Sequence, residues 1–205
     1  MKSASIVVVG ASWGGLSALT RIVSGLPDDL CVPVAIVQHR SKDAANLLAG
    51  LLQDATQLRV VDAEDKEPLC AGGVYIAPAN YHMMVEEDHF ALTTDPMVRF
   101  SRPSIDVTFM SAADAFPGRT VGVVLTGAND DGARGLRHIV RRGGTAIVQD
   151  PRTAESPTMP RAALAAVPTA EVIALEKIAE RVTELCSVAP SVEHRVRVRA
   201  ETRER

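Results

Sequence analysis

The stretch Ser5-Ile6-Val7-Val8-Val9-Gly10-Ala11-Ser12-Trp13-Gly14-Gly15 runs from a β-branched segment into a glycine turn. A short apolar run of this kind, followed at once by a helix-like stretch from about Gly14 to Ser24, reads as the first strand and helix of a parallel sheet covered on both faces. Working outward, the same alternation recurs. Strands are expected at Pro33–Gln38, Leu58–Val61, Gly73–Ala77, Val121–Thr126, Thr145–Gln149 and Glu171–Ala174. Helices are expected at Ala44–Leu52, from Ser104 as N-cap to about Ala115, from the turn Gly127–Gly132 to about Arg142, after Pro160, and at Glu176–Val188. The runs His82–Glu86 and His89–Thr93, separated by Glu87 and Asp88, predict an antiparallel β-hairpin. The fold class is therefore α/β: a doubly wound, mostly parallel sheet with helices on both faces and one antiparallel β-hairpin insertion.

With 205 residues, 46% hydrophobic and 23% charged, and a formal net charge of -3, the chain suits one soluble globular domain. That charge gives no nucleic-acid footprint. The early apolar run Ile6–Val9 is too short for a signal peptide or a membrane span, so no membrane insertion and a cytoplasmic location are expected. The three cysteines, Cys31, Cys70 and Cys186, are scattered and suggest neither a disulfide framework nor a zinc site. Residues 190–205 carry five arginines between Arg195 and Arg205 among charges of both signs, and are read as a solvated, disordered tail beyond a domain of residues 1–189.

In open parallel sheets the carboxyl ends of the strands line the binding crevice, and three such turns carry chemistry. The first, Gly10–Gly15, exposes Ser12 among small residues and resembles a nucleophile elbow. A dinucleotide loop competes with that reading, but Ser12 stands where its second glycine would be, and the second strand ends Gln38-His39-Arg40 without an acid. A serine needs a base, and His39 lies at an adjacent strand end, though a strand-end histidine is commonly structural. The base needs an acceptor, and the third turn supplies Asp130 and Asp131, either of which would also serve as a cap for the following helix. Spacing alone leaves that choice open.

Taken together, Gly10–Gly15, Val37-Gln38-His39, Tyr75-Ile76-Ala77-Pro78, Arg102-Pro103-Ser104-Ile105-Asp106 and Leu125-Thr126-Gly127-Ala128-Asn129-Asp130-Asp131-Gly132 occur in one order. In this the chain resembles the catalytic domain of the chemotaxis protein-glutamate methylesterases, the CheB family, from about Ser5 to Val188. The resemblance implies hydrolysis of glutamyl methyl esters on methyl-accepting chemotaxis receptors or related methylated proteins, with methanol released, and deamidation of receptor glutamines. It places the nucleophile on Ser12, the base on His39 and the acid on Asp131, and implies no metal or organic cofactor. Trp13 and Ala128 stand where the family commonly has threonine and methionine, and their backbone N–H groups are read as oxyanion donors. His82 falls on the family's hairpin histidine and is assigned substrate contact. The chain is read as a free-standing member lacking a receiver domain. A methylesterase-like docking module with little or no turnover is the alternative.

Overall fold

The computed structural model describes residues 4–40 and 47–187. The expected tail and the start of the second expected helix, 44–46, lie outside them. Seven parallel strands, β1 (Ile6–Ala11), β2 (Val34–Gln38), β3 (Arg59–Asp62), β4 (Gly73–Ile76), β7 (Thr120–Val124), β8 (Thr145–Gln149) and β9 (Glu171–Ile173), form one sheet in the order β3-β4-β2-β1-β7-β8-β9. A separate antiparallel pair, β5 (His82–Val85) and β6 (Phe90–Thr93), is the hairpin. The chain winds outward from β1 to one edge and returns to begin again at β7, so the strand order reverses between β1 and β7. Ligand crevices in such sheets form at the carboxyl ends beside that reversal.

Alternate residues of β1 feed opposite layers, as a doubly covered strand requires. Val7, Val9 and Ala11 pack with α1 (Gly15–Val23), α2 (Leu48–Gln53) and α6 (Leu175–Cys186). Ile6 and Val8 pack with α3 (Ile105–Ala115), α4 (Ala133–Arg141), α5 (Thr158–Ala166) and the hairpin. Gly10 sits on this second face, where a Cβ would collide with Ile105 Cγ2. Its missing side chain lets the start of α3 come down onto the end of β1.

At two helix starts the detail departs from the sequence reading. α5 begins at Thr158, ahead of Pro160. A proline in the first turn removes an N–H that has no helical partner anyway, so the helix need not wait for it. At α3, Ser104 holds the N-cap position, yet its hydroxyl makes no cap bond; a carboxylate from another part of the chain takes that role.

Candidate active site

Ser12 and His39 leave neighbouring strand ends: Ala11 pairs with Gln38 in the β1–β2 register, and the His39 N–H donates to the Ala11 carbonyl at 3.1 Å. The Ser12 turn is braced from both flanks. Its N–H donates to the Thr126 carbonyl at 3.0 Å, and Gln38 Nε2 donates to the Ser12 carbonyl at 2.8 Å. Thr126 Oγ1 donates to the Trp13 carbonyl at 2.9 Å and accepts from the Ser156 N–H at 2.8 Å. Gly14, left-handed at φ 77°, then starts α1. The Glu155 side chain lies against Gly14. A carboxylate at that helix start disfavours phosphate, against the dinucleotide reading.

The histidine is fixed at both ring nitrogens. Nε2 lies 2.8 Å from Asp131 Oδ2, and Nδ1 lies 3.2 Å from Asn129 Nδ2. Asn129 Oδ1 accepts from the Asp131 N–H at 3.1 Å, which sets the amide so that its nitrogen faces the ring. An amide nitrogen only donates, so Nδ1 carries the lone pair and Nε2 carries the proton given to Asp131. Asn129 is a site residue that the sequence reading missed, although an amide two places before the acid in a tight turn was a signal for it. No hydrogen bond joins Ser12 Oγ to His39 in this structure; for Nδ1 to take the serine proton, Asn129 must give way. Catalytic hydrogen bonds often tighten only when substrate is bound.

Asp131, not Asp130, reaches His39. Asp130 is exposed and pairs with Arg99, which holds its carboxyl below the ordinary value. Asp131 is fully buried, and both of its oxygens face donors. Oδ2 accepts from His39 and from the Ile105 N–H at 2.7 Å. Oδ1 accepts from Ser104 Oγ and from the N–H groups of Asp106 and Gly132, each at 3.0 Å. Burial pushes this carboxyl up, but the bonds from His39 and from the start of α3 outweigh it, and the group stays below its usual range. The capping role weighed for these acids is therefore real, but it is exerted on α3 rather than on the helix that follows.

The favour is returned. Asp106, in the first turn of α3, accepts from the Gly132 N–H at 3.0 Å and the Gly135 N–H at 2.7 Å, where α4 begins. Each helix is capped by the other's carboxylate, and this exchange fixes Asp131 against the sheet. Burial raises Asp106, with the nearby Asp131 charge adding to the effect. Asp106→Ala is expected to cost about 2 kcal/mol by leaving the buried Gly135 N–H unpaired, while the Gly132 N–H keeps Asp131 Oδ1, and Asp106→Asn less because its amide oxygen keeps both bonds; urea unfolding measures the difference.

Trp13 is 66% exposed and Ala128 is exposed, both beside Ser12, and neither backbone N–H has a protein acceptor among the described residues. His82 departs from its expected role. It is 1% exposed, Nδ1 accepts from the Ser104 N–H at 3.2 Å, and Nε2 lies 3.1 Å from the Pro96 carbonyl. With both nitrogens spent inside the protein, it supports the start of α3 and the 94–103 loop instead of touching a ligand. Beside His39 opens a cavity of about 480 Å³, walled in part by Arg40, Arg102, Met97 and Phe100. Among the described residues, no three His, Cys, Asp or Glu side chains group as a metal site, and no helix is long and apolar enough to cross a membrane.

A serine, a histidine and a buried aspartate at the switch point of a parallel sheet define a hydrolase-like α/β domain. Residues 7–182 match the CheB methylesterase family, and the chain belongs to that family. A Leptospira interrogans protein named "Putative protein-glutamate methylesterase/protein-glutamine glutaminase" is 43% identical over 175 residues, covering 85% of this chain and 91% of that one. The Carboxydothermus hydrogenoformans protein-glutamate methylesterase/protein-glutamine glutaminase 1 is 38% identical over 183 residues, covering 86% of this chain but 54% of its own length. The crystal structure of the Thermotoga maritima CheB methylesterase catalytic domain superposes with a TM-score of 0.86 at 33% identity, covering 90% of this chain and 100% of that one.

Proposed function

We propose that this protein is a cytoplasmic protein-glutamate methylesterase acting through Ser12, His39 and Asp131 on methyl-accepting chemotaxis receptors. Ser12 attacks the ester carbonyl while His39 Nδ1 takes its proton. The Trp13 and Ala128 N–H groups receive the developing oxyanion, a role indifferent to their side chains. His39 returns the proton to the departing methoxide, then activates the water that frees the glutamyl carboxylate. Asp131 holds Nε2–H throughout and balances the imidazolium. A primary amide carbonyl presents the same geometry, so glutamine deamidation follows the same course with ammonia leaving.

The observation that carries this reading is the fixed ring of His39, whose only basic nitrogen is Nδ1 and whose strand end adjoins that of Ser12. The names borne by the Leptospira and Carboxydothermus relatives support the substrate class. Incubation with methyl-labelled receptor is expected to release labelled methanol catalytically. Stoichiometric binding without release would support a docking module instead.

A further inference from the structure

The 94–103 loop is strapped down along its base. Arg102 donates to Asn80 Oδ1 at 2.7 Å and to the Asp95 carbonyl at 2.9 Å, and His82 bonds the Pro96 carbonyl. Near the tip, Arg99 pairs with Asp130, one residue from Asp131. The tip itself is a two-residue turn: Val98 and Ser101 exchange backbone bonds at 3.1 and 2.9 Å. Its central residues, Arg99 at φ 49° and Phe100 at φ 62°, are both left-handed, where hairpin turns favour Asn and Gly. Strain of this kind persists only where the surroundings enforce it, and it collects at functional sites.

What the strain achieves is the display of Phe100, which is 97% exposed. The chain has one Trp, two Tyr and four Phe, too few to fill its core with rings, yet Trp13, Tyr81 and Phe100 are left in solvent. Phe100 and Met97 wall the cavity beside His39, together with Arg40 and Arg102 and, among the described residues, with no carboxylate. The Arg40 side chain is only 8% exposed; its Nη2 bonds Asp62, while Nε and Nη1 have no partner among the described residues. An apolar tip next to a basic wall is complementary to an amphipathic, acidic protein segment. The wall is continuous with His39, whose strand end adjoins that of Ser12.

We propose that the Val98–Ser101 turn is a docking finger for the protein substrate, with Phe100 gripping the apolar side of the ester-bearing segment and the basic wall facing its carboxylates. This rests on the methylesterase reading above. Phe100→Gly tests it without threatening the fold, because glycine prefers the backbone conformation found there. The melting temperature should hold or rise, while kcat/KM for a methylated receptor falls about tenfold relative to kcat/KM for a small glutamyl methyl ester. Phe100→Trp should retain most of the receptor activity.

An unchanged receptor-to-small-ester ratio in Phe100→Gly would overturn the finger and leave the esterase intact. Release of methanol from neither substrate by the unaltered protein would overturn both readings. A dimer that dissociates on Phe100→Gly, seen by light scattering with the ratio unchanged, would assign the surface to a second copy of the chain and also overturn the proposal.

Discussion

Ser12→Ala is expected to abolish ester hydrolysis, lowering kcat by about 10⁴- to 10⁶-fold, as loss of the nucleophile does in other triads. The substitution should leave the fold untouched. Everything that shapes the turn is backbone of Ser12: its N–H on Thr126 and its carbonyl under Gln38 and Gly15. The hydroxyl holds no protein partner among the described residues and Ser12 is half-buried, so its removal falls in the class of changes worth less than about 0.5 kcal/mol. Methanol release and thermal unfolding on the same preparation separate the two effects. Turnover near that of the unaltered protein would remove Ser12 from the mechanism. A fall in both activity and melting temperature would mean that the turn, not the nucleophile, had been lost.

How far the sequence carried depended on whether the information was local. The β1 run and its glycine turn were legible because burial on both faces demands β-branched residues and the turn demands small ones; the observed strand, Ile6–Ala11, lies one residue on from the Ser5–Gly10 that the apolar run predicts. The hairpin was legible because Glu87 and Asp88 split two short apolar runs. What stayed hidden was long-range. Nothing around Ser104 announces that its helix is capped by a carboxylate 27 positions onward, and nothing near Asp106 announces that it caps α4 in return. Ser, then an acid, at a helix start satisfied the local rule for an N-cap, and the local rule named the position correctly while naming the wrong oxygen. His82 failed similarly. A hairpin histidine near a site reads as a contact, but only the packed structure reveals that both ring nitrogens are already occupied. The choice between Asp130 and Asp131 was likewise undetermined by spacing, and it turns on Arg99, distant in sequence, drawing Asp130 outward.

Because Asp131 serves the base and the cap at once, Asp131→Asn is expected to damage both, with activity down by about 10⁴-fold. Its two oxygens face only donors apart from the adaptable Ser104 hydroxyl, so an amide has no orientation free of conflict. With the amide nitrogen at the Oδ1 position, the Asp106 N–H loses its acceptor and the Gly132 N–H is left with Asp106 alone. With it at the Oδ2 position, the Ile105 N–H loses its acceptor, and His39 can escape only by moving its proton to Nδ1. That tautomer turns the Nε2 lone pair to the introduced amide and protonates Nδ1, the nitrogen that faces Asn129 Nδ2 and has to accept the serine proton, which ends base catalysis. Either way at least one buried N–H is left unpaired next to the sheet, and the stability cost should be about 2–3 kcal/mol in urea unfolding at neutral pH. The pH dependence gives a check that a general packing defect would fail. The Asp131 carboxyl titrates lower in the folded protein than in the unfolded chain. Its contribution is therefore complete above the unfolded value of about 3.9 and is lost as pH falls from there through the folded value. The gap in unfolding free energy between the parent protein and Asp131→Asn should hold steady from neutral pH down to about 5 and narrow below about 4. A gap that stayed constant through the acid range would show that the carboxylate's charge contributes nothing to the cap.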